Sequence, residues 1–411
     1  MSQSYIIRVL NERSAKKSRL YMNEKNILKL IQSGQGITHP STFHADDIFS
    51  TALLQVINPK IQISRTSEIP EYFSGIVYDI GLGEYDHHQA NGLKRENGIK
   101  YAAFGLIWKD VWHLFMDEDQ AKLFDACFIS EIDRCDNGPD SNLLSTSLEM
   151  FNPIWNIDEN SDDQFFEAVE LAKTMLKSLI SHFSSSSFVP KYCKNIDSDI
   201  IIALKNIELK YHQKDIHVNH FETPCDVWKK ISIDMTPDVD VNFFIRTFLN
   251  QCNKGYGKFR TSPFILACSY LKRKDRINIL ERFIDRRIKS MKAIAPAKEY
   301  CNKVFKESNQ KDIIIFDTYV PYDSLIENHD SVRAVSFPTD RNGWAMICVS
   351  KGGKKRLEIP EDLYGEKEEI LRKKYHGLSF VHPSGHMAVC DTKKDIINFY
   401  KKIAKNESNL A

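Results

Sequence analysis

Residues 75–92 read GIVYDIGLGEYDHHQANG. The first half, GIVYDIG, is a short apolar run closed by glycine. That is the pattern of a buried strand, with Asp79 near its C-terminal end. The second half, GEYDHHQANG, crowds an acid, two imidazoles and an amide side by side. Such groups bury nothing apolar, and each needs water or a partner, so their company implies a bound ligand rather than added stability.

Working outward, ADDIFSTALLQVI (45–57) places Ile48, Phe49, Ala52, Leu53 and Val56 at helical spacing, with His44, Asp46 and Asp47 at or just before the helix start. YAAFGLIWKDVWHLF (101–115), QAKLFDACFISEIDRCDNG (120–138) and DDQFFEAVELAKTMLKSLISHF (162–183) repeat the helical pattern, the second stopping at Asn-Gly just after Asp133 and Asp136. Helices alternating with short buried strands predict an α/β fold built on an open, mostly parallel sheet. From about residue 312 the texture turns β-rich: DIIIFDTYV, VRAVSFPT, WAMICVS and KRLEIPE read as strands, then GLSFVHPSGHMAVC and a closing helix, a smaller α+β domain. The expected division is a basic N-terminal arm (1–35), a catalytic domain (36–184), a mainly helical insertion (185–283) and a C-terminal substrate-binding domain (284–411).

At 411 residues, two or three domains are the prior, and a formal charge of +1 confines any nucleic-acid surface to a local patch. The candidate patch is 254–298, with thirteen Lys or Arg against three acids and with Lys258 and Arg260 beside Tyr256 and Phe259. Basic residues interleaved with aromatics can hold a phosphate backbone and stack bases, whereas charge runs more often form solvated helix faces. Nine scattered cysteines without a CxxC pair argue for a reducing compartment, and no apolar run is long enough to span a membrane. A cytoplasmic location is expected. The basic opening MSQSYIIRVLNERSAKKSRLYMN resembles a mitochondrial transit peptide only loosely, because Glu12 and the lack of a clean amphipathic stripe weaken it. His212, His217, His220 and Cys225 match no zinc spacing.

The chemistry gathers at element ends: His39, His44, Asp46 and Asp47 in THPSTFHADD, Asp79 in VYDIG, Asp86, His87 and His88 in YDHHQ, and Asp133 with Asp136 in IDRCDNG. In an open α/β sheet such loops can converge on one crevice beyond the strand C-termini. Imidazoles and carboxylates without thiolate favour Mn²⁺ or Mg²⁺, with Fe²⁺, Co²⁺ or Zn²⁺ also compatible. Six or more potential ligands exceed one tetrahedral zinc and suit two ions that share a carboxylate. One of His87 and His88 would then ligate metal while the other faces a substrate phosphate.

THPSTFHADD, IVYDIG, YDHHQ and ISEIDRCDNG in this order, with VRAVSFP, GWAMICVS and SFVHPSGHMAVCDTKKD near the end, resemble the melanocyte-proliferating-gene family of DHH-like metal-dependent phosphoesterases. The resemblance implies a DHH-type catalytic domain, two Mn²⁺ (or Mg²⁺) ions and 3′ to 5′ exonuclease activity on single-stranded RNA or DNA. It implies His39, His44, Asp46, Asp79, His87 and Asp133 as ligands, with Asp79 bridging and His88 contacting or protonating the phosphate. Asp86, Asp136 and Gln89 would orient the ligands. His382, Ser384, Gly385 and His386 would hold substrate across the cleft. The stretch 185–283 has no motif-level counterpart in that resemblance and leaves other readings open: hydrolysis of short oligonucleotides or cyclic dinucleotides, or a nucleic-acid-binding or assembly module with a dispensable metal site. Homo-oligomer formation is also left open.

Overall fold

In the computed structural model the described residues are 26–89, 92–138, 141–185, 263–339, 343–351 and 354–408, with a few positions between 199 and 232. A parallel sheet of order β2-β1-β3 is formed by β1 (Gln35–Thr38), β2 (Gln62–Arg65) and β3 (Ile76–Val77). The parallel sheet agrees with the sequence reading, but neither β1 nor β2 was anticipated. Each has four residues, too few to establish a period, and β1 contains Gly36. A Cβ at Gly36 would lie 2.5 Å from Ile63 Cδ1 and 3.3 Å from Ile76 Cγ2, so glycine lets side chains from both neighbouring strands close over the central one.

Helices cover this sheet. The turn of helix at residues 26–32 (α1) buries Ile27 and Ile31 in the same core as α2 (Ala45–Ile57). The α2 helix packs along α7 (Ser161–Phe183), which Asn160 caps by accepting hydrogen bonds from the N–H groups of Asp162 and Asp163. Between them lie α3 (Ala103–Val111), α4 (Glu118–Phe124), α5 (Ser130–Asp136) and α6 (Leu143–Glu149). The expected helix over 120–138 is interrupted by a π-helical stretch, Asp125–Ile129. Phe49 stacks on Phe104 and meets Phe128 edge-on, which ties α2, α3 and that stretch together.

Residues 263–288 join the same core through Phe264, Leu266, Leu280, Phe283 and Ile288, carried on α8 (Pro263–Tyr270) and α9 (Arg273–Lys292). Lys258 and Arg260 lie outside the described residues, as do the side chains of His212, His217, His220 and Cys225. In the described part of the basic stretch, Arg276 and Arg286 are buried against carboxylates, Asp199 at 2.7 Å and Glu159 at 2.6 Å.

α10 (Ile294–Glu307) leads into a five-stranded sheet of order β7-β8-β6-β5-β4. Its strands are β4 (Ile313–Ile315), β5 (Ala334–Pro338), β6 (Trp344–Cys348), β7 (Leu378–Val381) and β8 (Met387–Cys390). β4 and β5 are parallel and the rest antiparallel. The stretch KRLEIPE is not the strand its composition suggests. Only Lys354–Lys355 pairs, while Leu357 and Ile359 bury their side chains outside any ladder. Arg356 instead bonds the carbonyls of His329 and Val332, both at 2.9 Å. Among the described residues no helix is long and apolar enough to cross a membrane.

Candidate metal centre

β1 and β3 run side by side in parallel, so the chain leaves both at the same edge of the sheet. His39 directly follows β1. Asp79 follows β3, its N–H donating to Tyr85 O at 3.0 Å, with a left-handed φ of +56°. An L-residue other than glycine adopts that conformation at a cost, and Asp and Asn tolerate it best. The twist aims the buried Asp79 carboxylate between two histidines: Oδ2 lies 3.1 Å from His39 Nε2 and Oδ1 lies 3.1 Å from His87 Nε2. His39 Nε2 is also 3.3 Å from Asp47 Oδ2, and His87 Nε2 is 3.0 Å from Asp136 Oδ2.

Hydrogen bonds on the far side of each ring decide what faces these carboxylates. His39 Nδ1 lies 2.9 Å from the carbonyl of Pro40, an acceptor, so Nδ1 carries the proton. His87 Nδ1 lies 3.2 Å from Asn137 Oδ1, whose own amide nitrogen donates to Tyr101 O and Asp133 O. In both neutral rings Nε2 is therefore a lone pair pointed at carboxylate oxygens, an arrangement that repels unless a proton or a cation lies between. Asp47 Oδ2 and Asp79 Oδ1 are buried and make no well-formed hydrogen bond. Unsatisfied buried oxygens facing imidazole lone pairs, with no thiol in the set, fit a hard divalent cation.

The charge states carry the same message. Burial disfavours a charged His39, but Asp47 and Asp79 outweigh it and raise its pKa to about 9. His87 is likewise raised, against burial, by Asp136 and Asp79. Burial works against a charged Asp79 too, yet the His39 and His87 rings beside it hold it well below the usual carboxylate range. Asp47 is pushed up to about 6, first by burial and then by Asp79, with His39 opposing. Without an ion, protons hold the cage together.

Three residue groups bring their donor atoms close enough to share an ion: His39 with Asp47 and Asp79, Asp79 with His87 and His88, and Asp46 with His87 and Asp136. Asp79 belongs to two of them, and so does His87. Of the expected ligands, His39, Asp46, Asp79 and His87 come together here; His44 and Asp133 are in none of the groups. The His44 ring is 6.1 Å from that of His39, and the backbone N–H of His44 donates to Asp47 Oδ1 at 2.8 Å, at the N-cap of α2. Asp133 is held by Arg95 at 2.7 Å and by the N–H of Gly105 at 3.1 Å, and burial pushes it up to about 7 against the pull of Arg95. Asp46 also caps α3, accepting from Phe104 N at 2.7 Å and Ala103 N at 3.0 Å. Asp47 and Asp136 join through geometry that the sequence signalled only by proximity: each lies three residues, one helical turn, after His44 or Asp133.

The other expected residues surround these groups. Asp86 accepts from Leu82 N–H at 2.6 Å, from His88 N–H at 3.0 Å and from His88 Nδ1 at 2.8 Å, so it orients that ring and leaves Nε2 facing outward. Gln89 Nε2 ties down the carbonyls of Leu82 and Gly83, at 3.0 and 2.7 Å. Across the crevice the His382 ring is 6.3 Å from His88, nearly perpendicular to it. His382 Nδ1 accepts from Ser384 N–H at 3.1 Å, so the Ser384 hydroxyl must donate to it, at 2.9 Å, and accept from His386 Nδ1 at 2.6 Å. Burial, with His386, His88 and His87 near, pushes His382 down to about 3, so it is neutral and carries its proton on Nε2. Gly385 has φ +65°, and a Cβ there would fall 2.0 Å from the Tyr364 ring.

Imidazoles and carboxylates gathered around one shared aspartate at the end of the parallel sheet, with the His382 ring of the five-stranded sheet near His88, define a candidate divalent-metal protein. Residues 36–247 and 268–403, more than half of the chain, match the MYG1_exonuc family, described as an uncharacterised protein family (UPF0160). The chain belongs to that family. The match runs through residues 185–247, part of the stretch for which the motifs offered no counterpart. Curated relatives are MYG1 exonuclease of Homo sapiens, 28% identical over 33% of this chain and 47% of that protein, and MYG1 exonuclease of Bos taurus, 26% identical over 36% and 50%. The chain thus spans about half the length of the curated relatives it matches. Crystal structures of RecJ from Thermus thermophilus with Mg²⁺ or Mn²⁺ are similar at TM-scores of 0.35 and 0.39 and 11% and 10% identity, covering 95% of this chain and 52% and 55% of those chains.

Proposed function

We propose that this protein is a divalent-metal-dependent phosphodiesterase, an exonuclease that releases nucleotides from the 3′ end of single-stranded RNA or DNA. The observation that carries the reading is Asp79, a buried carboxylate in a left-handed conformation, shared between His39 and His87 with one oxygen left without a hydrogen bond. Family membership and the name of the curated relatives support it.

Two ions, Mn²⁺ or Mg²⁺, would be held by His39, Asp46, Asp47, Asp79, His87 and Asp136. Bound there, they would supply Lewis acidity and neutralise charge on the phosphate. The remaining work falls to the chain itself. Asp86 accepts from His88 Nδ1, so the imidazolium form of His88 carries its second proton on Nε2, where it would contact the phosphate and pass that proton to the leaving oxygen, leaving the neutral ring. Opposite, His382 presents an Nε2–H set by Ser384, a neutral donor to a phosphate oxygen. Gly385 lets the loop close against Tyr364.

A second reading takes short oligonucleotides or cyclic dinucleotides at the same centre. In the described part of the basic stretch Arg276 and Arg286 are buried in internal ion pairs, whereas Lys272, Arg273, Lys274, Arg282, Lys292 and Lys298 are exposed, so the substrate assay decides between the two. The deciding experiment follows nucleotide release from 3′- and 5′-labelled RNA and DNA, and from a cyclic dinucleotide, with Mn²⁺ or EDTA, for wild type and Asp79→Asn. Mn²⁺-dependent release from strands by wild type alone supports the exonuclease. Release only from the small substrate favours the second reading, and equal activity of Asp79→Asn contradicts both.

A further inference from the structure

The chain between His39 and the α2 helix, residues 40–44, connects two sources of candidate ligands and belongs to no regular element. It is pinned at two points. Arg65 Nη2 donates to the carbonyl of Ser41, which sits at φ +76°. Asn152 grips Phe43 in a paired fashion: its Oδ1 accepts from Phe43 N at 2.9 Å and its Nδ2 donates to Phe43 O at 2.8 Å. Both backbone groups of Phe43 are thus satisfied by one side chain more than a hundred residues away, and the Phe43 ring packs on Phe165.

Asn152 is held in turn by a residue from α9. The buried Arg286 directs Nε to Met150 O at 3.0 Å and Nη2 to Phe151 O at 3.2 Å and Asn152 O at 2.8 Å. Its Nη1 pairs with Glu159 at 2.6 Å, and the other Glu159 oxygen accepts from Ile154 N at 3.1 Å. A planar fork with five donors can fix three successive carbonyls at once, which an ammonium cannot do. The network thus runs from α9 through the 150–152 turn to Phe43 and the loop that carries His39.

Resting on the metal-centre reading above, we infer that Asn152 and Arg286 are positioning residues for the metal centre: they set the 40–44 loop so that His39 and Asp47 face Asp79. Neither residue touches the candidate ligand atoms. Groups that orient ligands from outside commonly change metal affinity by about 10- to 100-fold.

The test is Mn²⁺ affinity, from titration of free Mn²⁺ by electron paramagnetic resonance, together with the amide exchange rate of Phe43. The variants are Asn152→Ala, Arg286→Lys and, as a control, Phe399→Leu in the C-terminal core. Asn152→Ala, folded by near-ultraviolet circular dichroism, is expected to bind Mn²⁺ about 10- to 100-fold more weakly and to exchange the Phe43 amide faster. Arg286→Lys keeps the charge opposite Glu159 but loses the fork, and should likewise weaken Mn²⁺ binding; unchanged affinity in folded Arg286→Lys overturns the inference if Asn152→Ala does not fold. Unchanged Mn²⁺ affinity in folded Asn152→Ala overturns the inference, as does an equal loss in Phe399→Leu. A wild type that takes up no Mn²⁺ removes the metal-centre reading and the inference with it, and is distinguished by that first titration.

Discussion

Arg286 and Asp79 are both buried charged groups, and the fold treats them in opposite ways. Arg286 meets a carboxylate and three backbone carbonyls, in a geometry that satisfies its donors. Asp79 sits at φ +56°, faces two imidazole nitrogens that need a proton or a cation between them and it, and leaves one oxygen without a well-formed hydrogen bond. The first arrangement is what burial of a charge demands when the structure alone is at stake. The second persists only because something other than folding keeps it, and local strain of that kind collects at functional sites.

The sharpest way to break this contrast is to change each member. Asp79→Asn tolerates the same left-handed φ but removes the shared negative charge. It should lower Mn²⁺-dependent turnover on the order of 10³-fold with the fold retained, read by single-turnover assay beside circular dichroism. Arg286→Met should do the reverse of a purely catalytic change, destabilising the folded protein by about 3–5 kcal/mol in denaturant unfolding because Glu159 and three carbonyls lose their partner. A fully stable Arg286→Met protein would erase the distinction.

Proton linkage sharpens it further. His39 has its pKa raised from 6.5 to about 9 in the metal-free protein. The stability that its proton contributes is fully present below pH 6.5 and is lost as pH rises through about 9. A divalent ion must displace that proton. Mn²⁺ affinity should therefore climb as pH rises from 6.5 toward about 9, with at least one proton released per site at pH 7.5, measured by calorimetry in buffers of different ionisation enthalpy. A flat affinity across that window would place His39 outside the ligand set.

Smaller effects belong to the facing loop. Gly385→Ala puts a Cβ into the Tyr364 ring and should raise KM for an oligonucleotide about tenfold while Mn²⁺ affinity stays unchanged. Ser384→Ala removes one hydroxyl from between His382 and His386 and should cost about three- to tenfold in kcat/KM, the size of one hydrogen bond.

Much of the candidate site was legible because its chemistry is local. His39, Asp79 and His87 lie within or just beyond apolar runs or beside helix starts, and the structure gathers them in one crevice. Less legible was what each of two adjacent, equally buried carboxylates meets. Asp46 and Asp47 are neighbours on one helix, yet Asp46 faces the N-terminus of α3 and Asp47 faces His39. The same ambiguity separates Asp133, held by Arg95, from Asp136 beside His87. In the fold, the helices of the first domain were readable from their 3.6-residue pattern, whereas β1 and β2 were too short to show a period. The grip of Asn152 on Phe43 could not be read at all, since 109 residues of intervening chain leave no local signal.

The most direct test of the central claim is an anomalous difference map from crystals grown with Mn²⁺. Anomalous density is expected beside the Asp79 carboxylate, within reach of His39 and His87. A crevice without anomalous density, in which Asp79 is simply hydrogen-bonded to protonated His39 and His87, would contradict it.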